Sequence, residues 1–92
     1  MTLADEFVGL ANDYISGRIK LGVLDVFIHD HVDQSVELDK TNSPDALLLG
    51  FVQVRIYEMD HGLQEDSIRR DVAAYLAEHE LLQPAAKQRA TG

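Results

Sequence analysis

An all-α fold, a compact four-helix bundle, is what this sequence of 92 residues predicts, and three features carry the expectation. Apolar residues recur three and four positions apart along most of the chain, the period of a helix with one buried stripe. Start and stop signals bracket those runs, with Thr2 and Ser43-Pro44 at beginnings and Gly17 and Gly62 at ends. The connections between runs are short, as they are between neighbouring helices of a bundle.

Leu3, Phe7, Leu10 and Tyr14 lie at intervals of four, three and four and share one stripe of a first helix. Thr2 is placed to cap it, Asp5 sits three residues on in the capping-box position, and Gly17 supplies the left-handed residue that ends it. A second helix is expected to begin near Ile19 to Val23. It sets Leu24, Phe27, Ile28 and His31 on one face and Asp25, His29 and Asp33 on another. Gly22 weakens helix at its start, and Leu24, Val26, Ile28 and Val32 also alternate as a strand would, which is the competing reading of this segment.

Residues Gln34 to Asn42 read as a polar connection. Ser43 and Pro44 open a third helix, a cap followed by a residue suited to the first helical position. Ten of the 14 residues from Ala46 to Met59 are hydrophobic. They fall into two stripes, Leu48, Val52, Ile56 and Met59 on one side and Leu47, Phe51 and Val54 on another, so this helix is either central or an interface. A fourth helix follows from about Gln64 to Leu82 with Ile68, Val72, Tyr75, Leu76 and His79 facing inward. Leu63 and Ile68 have the separation of a hydrophobic staple across a cap at Gln64. Residues 1–82 read as one domain, and residues 83–92, polar and small, as a flexible tail.

With no Cys the chain has neither a disulfide framework nor a thiolate metal site, which fits a reducing compartment. Its first residues lack the basic start and apolar run of a secretory signal, and no segment approaches the roughly 18 apolar residues of a membrane span. A soluble cytoplasmic protein is expected. Net charge is −8. Lys87 and Arg89 lie in the tail, so the body carries six basic residues against 16 acids, a net of −10. That sign excludes general binding to nucleic acid or to an anionic membrane, both of which reward a basic surface.

The acids are not evenly neutralised. Glu65 precedes Arg69 by four and Asp66 precedes Arg70 by four, the favourable order for helical ion pairs. Between residues 25 and 39, by contrast, stand Asp25, Asp30, Asp33, Glu37 and Asp39 with no Lys or Arg, and Glu58 with Asp60 adds acid near the end of the third helix. Two readings fit: charge that merely solvates an acidic domain, or a face built to occupy a basic groove where carboxylates stand in for phosphates. On the second reading these seven acids form the partner-binding site and the partner is a basic protein.

The sequence Tyr14-Ile15-Ser16-Gly17-Arg18-Ile19 followed by Phe27, and later Gly62-Leu63, Glu65-Asp66, Ile68-Arg69, Val72 and Tyr75-Leu76, resembles small bacterial helical immunity proteins of the colicin D immunity type. The resemblance covers most of residues 3 to 80. It departs from that pattern at Lys20-Leu21-Gly22, where the family offers a capping Ser or Thr. It implies a four-helix acidic protein that binds a toxin nuclease acting on transfer RNA and blocks its basic active site, with Asp25, Asp30, Asp33 and Glu37 on the inhibitory face.

Two other functional classes compete with this one. A dimerisation module would use Leu47, Phe51 and Val54, giving a homodimer through the third helix. A small metal enzyme would use His29 and His31, or Glu58 with His61 in a Glu-x-x-His pattern. Helical neighbours two apart point away from each other, and a di-iron bundle needs a second Glu-x-x-His that the sequence lacks. Ser16, Ser35, Ser43 and Ser67 form no nucleophile elbow, and the glycines make no phosphate loop. Neither an enzyme nor a bound cofactor is expected.

Overall fold

Five helices, rather than four, make up the computed structural model, which describes residues 2–83 apart from the side chains of residues 35, 36, 38 and 39. They are α1 (Leu3–Ile15), α2 (Leu21–Asp30), α3 (Val32–Thr41), α4 (Pro44–Met59) and α5 (Glu65–Glu78), and no strand occurs among the described residues.

Helix α1 begins with the expected capping box: Thr2 Oγ1 accepts from the Asp5 N–H at 3.1 Å, and Asp5 Oδ2 accepts from the Thr2 N–H at 3.4 Å. It ends at Gly17, whose φ of +86° is free of the Cβ penalty. There the Gly17 and Arg18 N–H groups reach back to Tyr14 O and Asp13 O, the two bonds of a Schellman motif. The buried face is Ala4, Phe7, Val8, Ala11 and Tyr14, whereas Leu3 and Leu10 are only half-buried. The expected stripe is thus rotated toward small residues, because α1 packs against α2, α4 and α5 together and alanines let those neighbours come close.

Helix α2 starts behind Lys20, which supplies no side-chain cap. Burial of Leu21, Leu24 and Ile28 holds it, and tertiary packing of this kind outweighs a poor start signal; the strand alternative does not occur. At His31 the backbone leaves helical geometry (φ −123°, ψ 27°), and the His31 ring nitrogen Nδ1 lies 2.9 Å from Phe27 O. The register of α2 therefore stops at Asp30, and the expected row Asp25, His29, Asp33 is broken, since Asp33 belongs to α3. That helix also replaces most of the polar connection expected at residues 34 to 42. It ends at Asn42 in the left-handed conformation, φ +59°, which Asn tolerates better than most residues.

Ser43 occupies the cap position of α4 with Pro44 behind it, but the Ser43 hydroxyl bonds Asp45 Oδ1 at 2.7 Å, and it is Asp45 that accepts from the Ala46 N–H at 2.9 Å. Helix α4 packs against all four others. Ala46, Leu48, Leu49 and Val52 are buried along it, so Leu49, on neither expected stripe, is part of the core. In α5, Ile68, Val72 and Leu76 are fully buried, Leu63 packs on the same core, and His79 is exposed instead of inward.

Past α5 the chain is fastened to α1. Asn12, 1% exposed, donates from Nδ2 to Val8 O at 2.8 Å and to Leu81 O at 3.1 Å, while its Oδ1 accepts from the Gln83 N–H at 3.0 Å. Gln83, expected in the tail, is thus tied down; the rest of the expected tail lies outside the described residues. The whole measures 38 × 33 × 22 Å. Among the described residues no helix is long and apolar enough to cross a membrane.

Candidate groove between α2 and α4

Helix α4 presents Gln53, Ile56, Tyr57 and Asp60 at the spacing i, i+3, i+4, i+7, one face of the helix and of its last turn. Opposite them α2 brings Asp25 and His29, and the two sets enclose a groove of about 470 Å³. The groove is walled partly by apolar atoms of Ile56 and by the Tyr57 ring, which is 62% exposed and meets the His61 ring edge-on at 5.1 Å.

Of the acids singled out in the sequence, Asp25 and Asp60 come together here. Asp25 is steadied by His29, whose Nδ1 lies 2.9 Å from the Asp25 carbonyl oxygen and 3.3 Å from its Oδ1. A carbonyl only accepts, so Nδ1 carries the proton and Nε2 is left free. The Asp60 carboxylate makes no hydrogen bond or ion pair among the described residues, and neither do those of Asp30 and Asp33, which are exposed away from the groove lining. Glu37 pairs with Lys40 at 3.3 Å on the surface of α3, a contact worth well under ~1 kcal/mol. Glu58 points to the other flank of α4, where Arg55 Nη2 lies 2.8 Å from its Oε1 and Arg55 Nη1 lies 3.3 Å from Asp71 Oδ2. Asp39 lies in α3, and its side chain is outside the described set.

Two tyrosines away from the groove are held neutral. Burial first, and the Glu65 carboxylate second, raise the Tyr14 hydroxyl above its ordinary value, against the opposing pull of Arg69, whose guanidinium lies 4.9 Å from the ring centroid. Tyr14 donates to Glu65 Oε2 at 3.3 Å. Burial, then the Asp45 carboxylate, raises Tyr75, which donates to Pro44 O at 2.7 Å.

The groove can seat a cation with an aliphatic stem. Two carboxylates attract the charged head, Gln53 offers an amide, and the face of Tyr57 and the side of Ile56 receive the methylenes, as suits an Arg or Lys side chain. Gln53 and Tyr57 were absent from the sequence-based site, although the 53, 56, 57, 60 spacing was readable once α4 was placed. Among the described residues no group of three or more His, Asp or Glu is arranged to hold a metal ion. His29 and His31 each have Nδ1 on a backbone carbonyl. Comparison with protein-family models, curated proteins and solved structures returned no match for this chain.

Proposed function

We propose that this chain is an acidic protein-binding inhibitor that presents the α2–α4 groove and the carboxylates around it to a basic site on a partner protein. In its most specific form it is a cytoplasmic immunity protein whose partner is a toxin nuclease, with Asp25 and Asp60 meeting side chains that otherwise contact substrate phosphates. Helices α1, α2, α4 and α5 serve as a four-helix frame, and α3, packed on α4, adds the exposed acids Asp33 and Glu37 to the negative charge of the chain outside the groove itself. What carries the reading is the convergence of Asp25 and Asp60 on one concavity, beside an exposed aromatic ring, in a chain of net charge −8. Charge of this sign accelerates encounter with a cationic partner, and a cation enclosed between two carboxylates slows its departure.

The experiment compares the chain with its Asp25→Lys/Asp60→Lys variant, each immobilised at low ionic strength and offered the soluble proteins of the native host. The wild type is expected to retain a basic polypeptide whose nuclease activity it suppresses, with retention falling as salt rises. The variant should retain about tenfold less or weaker still, with its helical circular dichroism intact. Equal retention by both proteins would remove the groove from the reading.

A further inference from the structure

Twice in this molecule an arginine lies over an aromatic ring and closes on carboxylates. Arg69 holds its guanidinium carbon 4.9 Å from the Tyr14 ring centroid while its Nη2 meets Glu65 Oε2 at 3.4 Å. Arg55 lies 5.6 Å from the Phe51 centroid and sits between two carboxylates, Glu58 Oε1 at 2.8 Å and Asp71 Oδ2 at 3.3 Å. The combination repeats because a guanidinium is flat and weakly hydrated. Its face rests on a ring while the N–H groups at its edge stay free for carboxylates.

The α2–α4 groove has the same parts without the arginine. Tyr57 supplies an exposed ring, Asp25 and Asp60 supply two carboxylates, and neither Lys nor Arg lines the groove. Among the described residues every arginine is engaged elsewhere: Arg18 with Asp13, Arg70 with Ser67, Arg55 and Arg69 over their own rings. Gln53 adds an amide oxygen and His29 a free Nε2, so the lining carries more acceptor positions than the three N–H donors of an ammonium can use. A guanidinium brings five in a fixed plane. A lysine head, compact and strongly hydrated, gains the charge attraction but little from the ring.

We infer, on the basis of the inhibitor reading of this groove, that the partner group seated in it is an arginine side chain, stacked on Tyr57 with its edge turned to Asp25 and Asp60. The test uses blocked alanine peptides with arginine, lysine or citrulline at the centre, titrated at low ionic strength into the isotope-labelled full chain. NMR signals of the Gln53 side-chain amide and the Tyr57 ring report binding. The arginine peptide should shift both signals and bind about threefold to tenfold more tightly than the lysine peptide. Citrulline, of the same shape without the charge, should leave them in place. Tyr57→Leu should bring the arginine peptide down to the affinity of the lysine peptide, read at Gln53, with helical circular dichroism unchanged. Equal affinity of the two cationic peptides for the wild type overturns the arginine inference and leaves a basic partner standing. So does an arginine preference that survives Tyr57→Leu. If neither cationic peptide moves either signal, the inference falls together with the groove's part in the inhibitor reading.

Discussion

Toward α2, helix α4 presents Gln53, Ile56, Tyr57 and Asp60; toward α5 it presents Leu47, Phe51, Val54 and Arg55. A step of one residue, about 100° around the helix, separates the two sets. On the first flank, among the described residues, the Asp60 carboxylate is unpaired and Asp25 is met only by a histidine. On the second, the guanidinium is matched by two carboxylates and the remaining wall is hydrocarbon. A central helix covered on several sides has no single polar face, so its functional surfaces are the narrow strips between its neighbours, and each strip can have its own electrostatics.

The severest way to disturb this comparison is to loosen the helix that carries both flanks. Leu48 is a fully buried α4 residue of the core, and Leu48→Ala should cost roughly 2–5 kcal/mol in urea unfolding and abolish partner capture at moderate temperature. Crossing the surface variants is gentler. Asp25→Lys/Asp60→Lys should weaken salt-sensitive capture about tenfold, ~1.4 kcal/mol, whereas Val54→Lys on the other flank should leave it intact. Loss of capture in Val54→Lys would show the flanks to be coupled.

Smallest is a pH effect confined to the α5 side. Tyr75 is held neutral in the folded chain above its ordinary value of 10.0, whereas in the unfolded chain it ionises at that value. Its contribution is therefore complete below pH 10 and is lost as pH rises through the folded value, since the unfolded state releases its proton first. Tyr75→Phe should flatten this alkaline decline, measured as thermal unfolding across the range, and should cost about 1 kcal/mol near neutrality for the lost bond to Pro44 O. A shallower decline should persist through Tyr14, displaced in the same direction.

Helices announced by apolar spacing and by caps were legible: α1 by Leu3 to Tyr14 and its capping box, α4 by Ser43-Pro44, α5 by the staple of Leu63 on Ile68. Helix α3 was not, because seven of its ten residues are polar and Val32, Val36 and Leu38 make too short an apolar pattern to recognise in the sequence. The signal that could have found it is Asn42, a left-handed helix end followed two residues later by Pro44. Register inside helices was harder. Ala4 and Ala11 lie in the core because three helices crowd α1, a fact of packing that alanine alone does not advertise. Of the candidate site, Asp25 and Asp60 were visible in the sequence as acids. Their meeting across a groove depends on how α2 is laid on α4, and the break at His31, which separates Asp33 from them, left no mark in the periodicity.

Asn12 waits a long way for its partners. The acceptor at Leu81 and the donor at Gln83 lie 69 and 71 positions further along, so helix α1 leaves the ribosome with Asn12 bonded only to Val8 O and the rest of its amide still to be satisfied. Closure of the fold is accordingly a late event in synthesis, reserved for a nearly finished polypeptide. A nascent chain halted ahead of Leu81 would bury Asn12 Oδ1 without a donor, at a cost of about 1–3 kcal/mol, or keep α1 open, and either outcome exposes it to proteolysis.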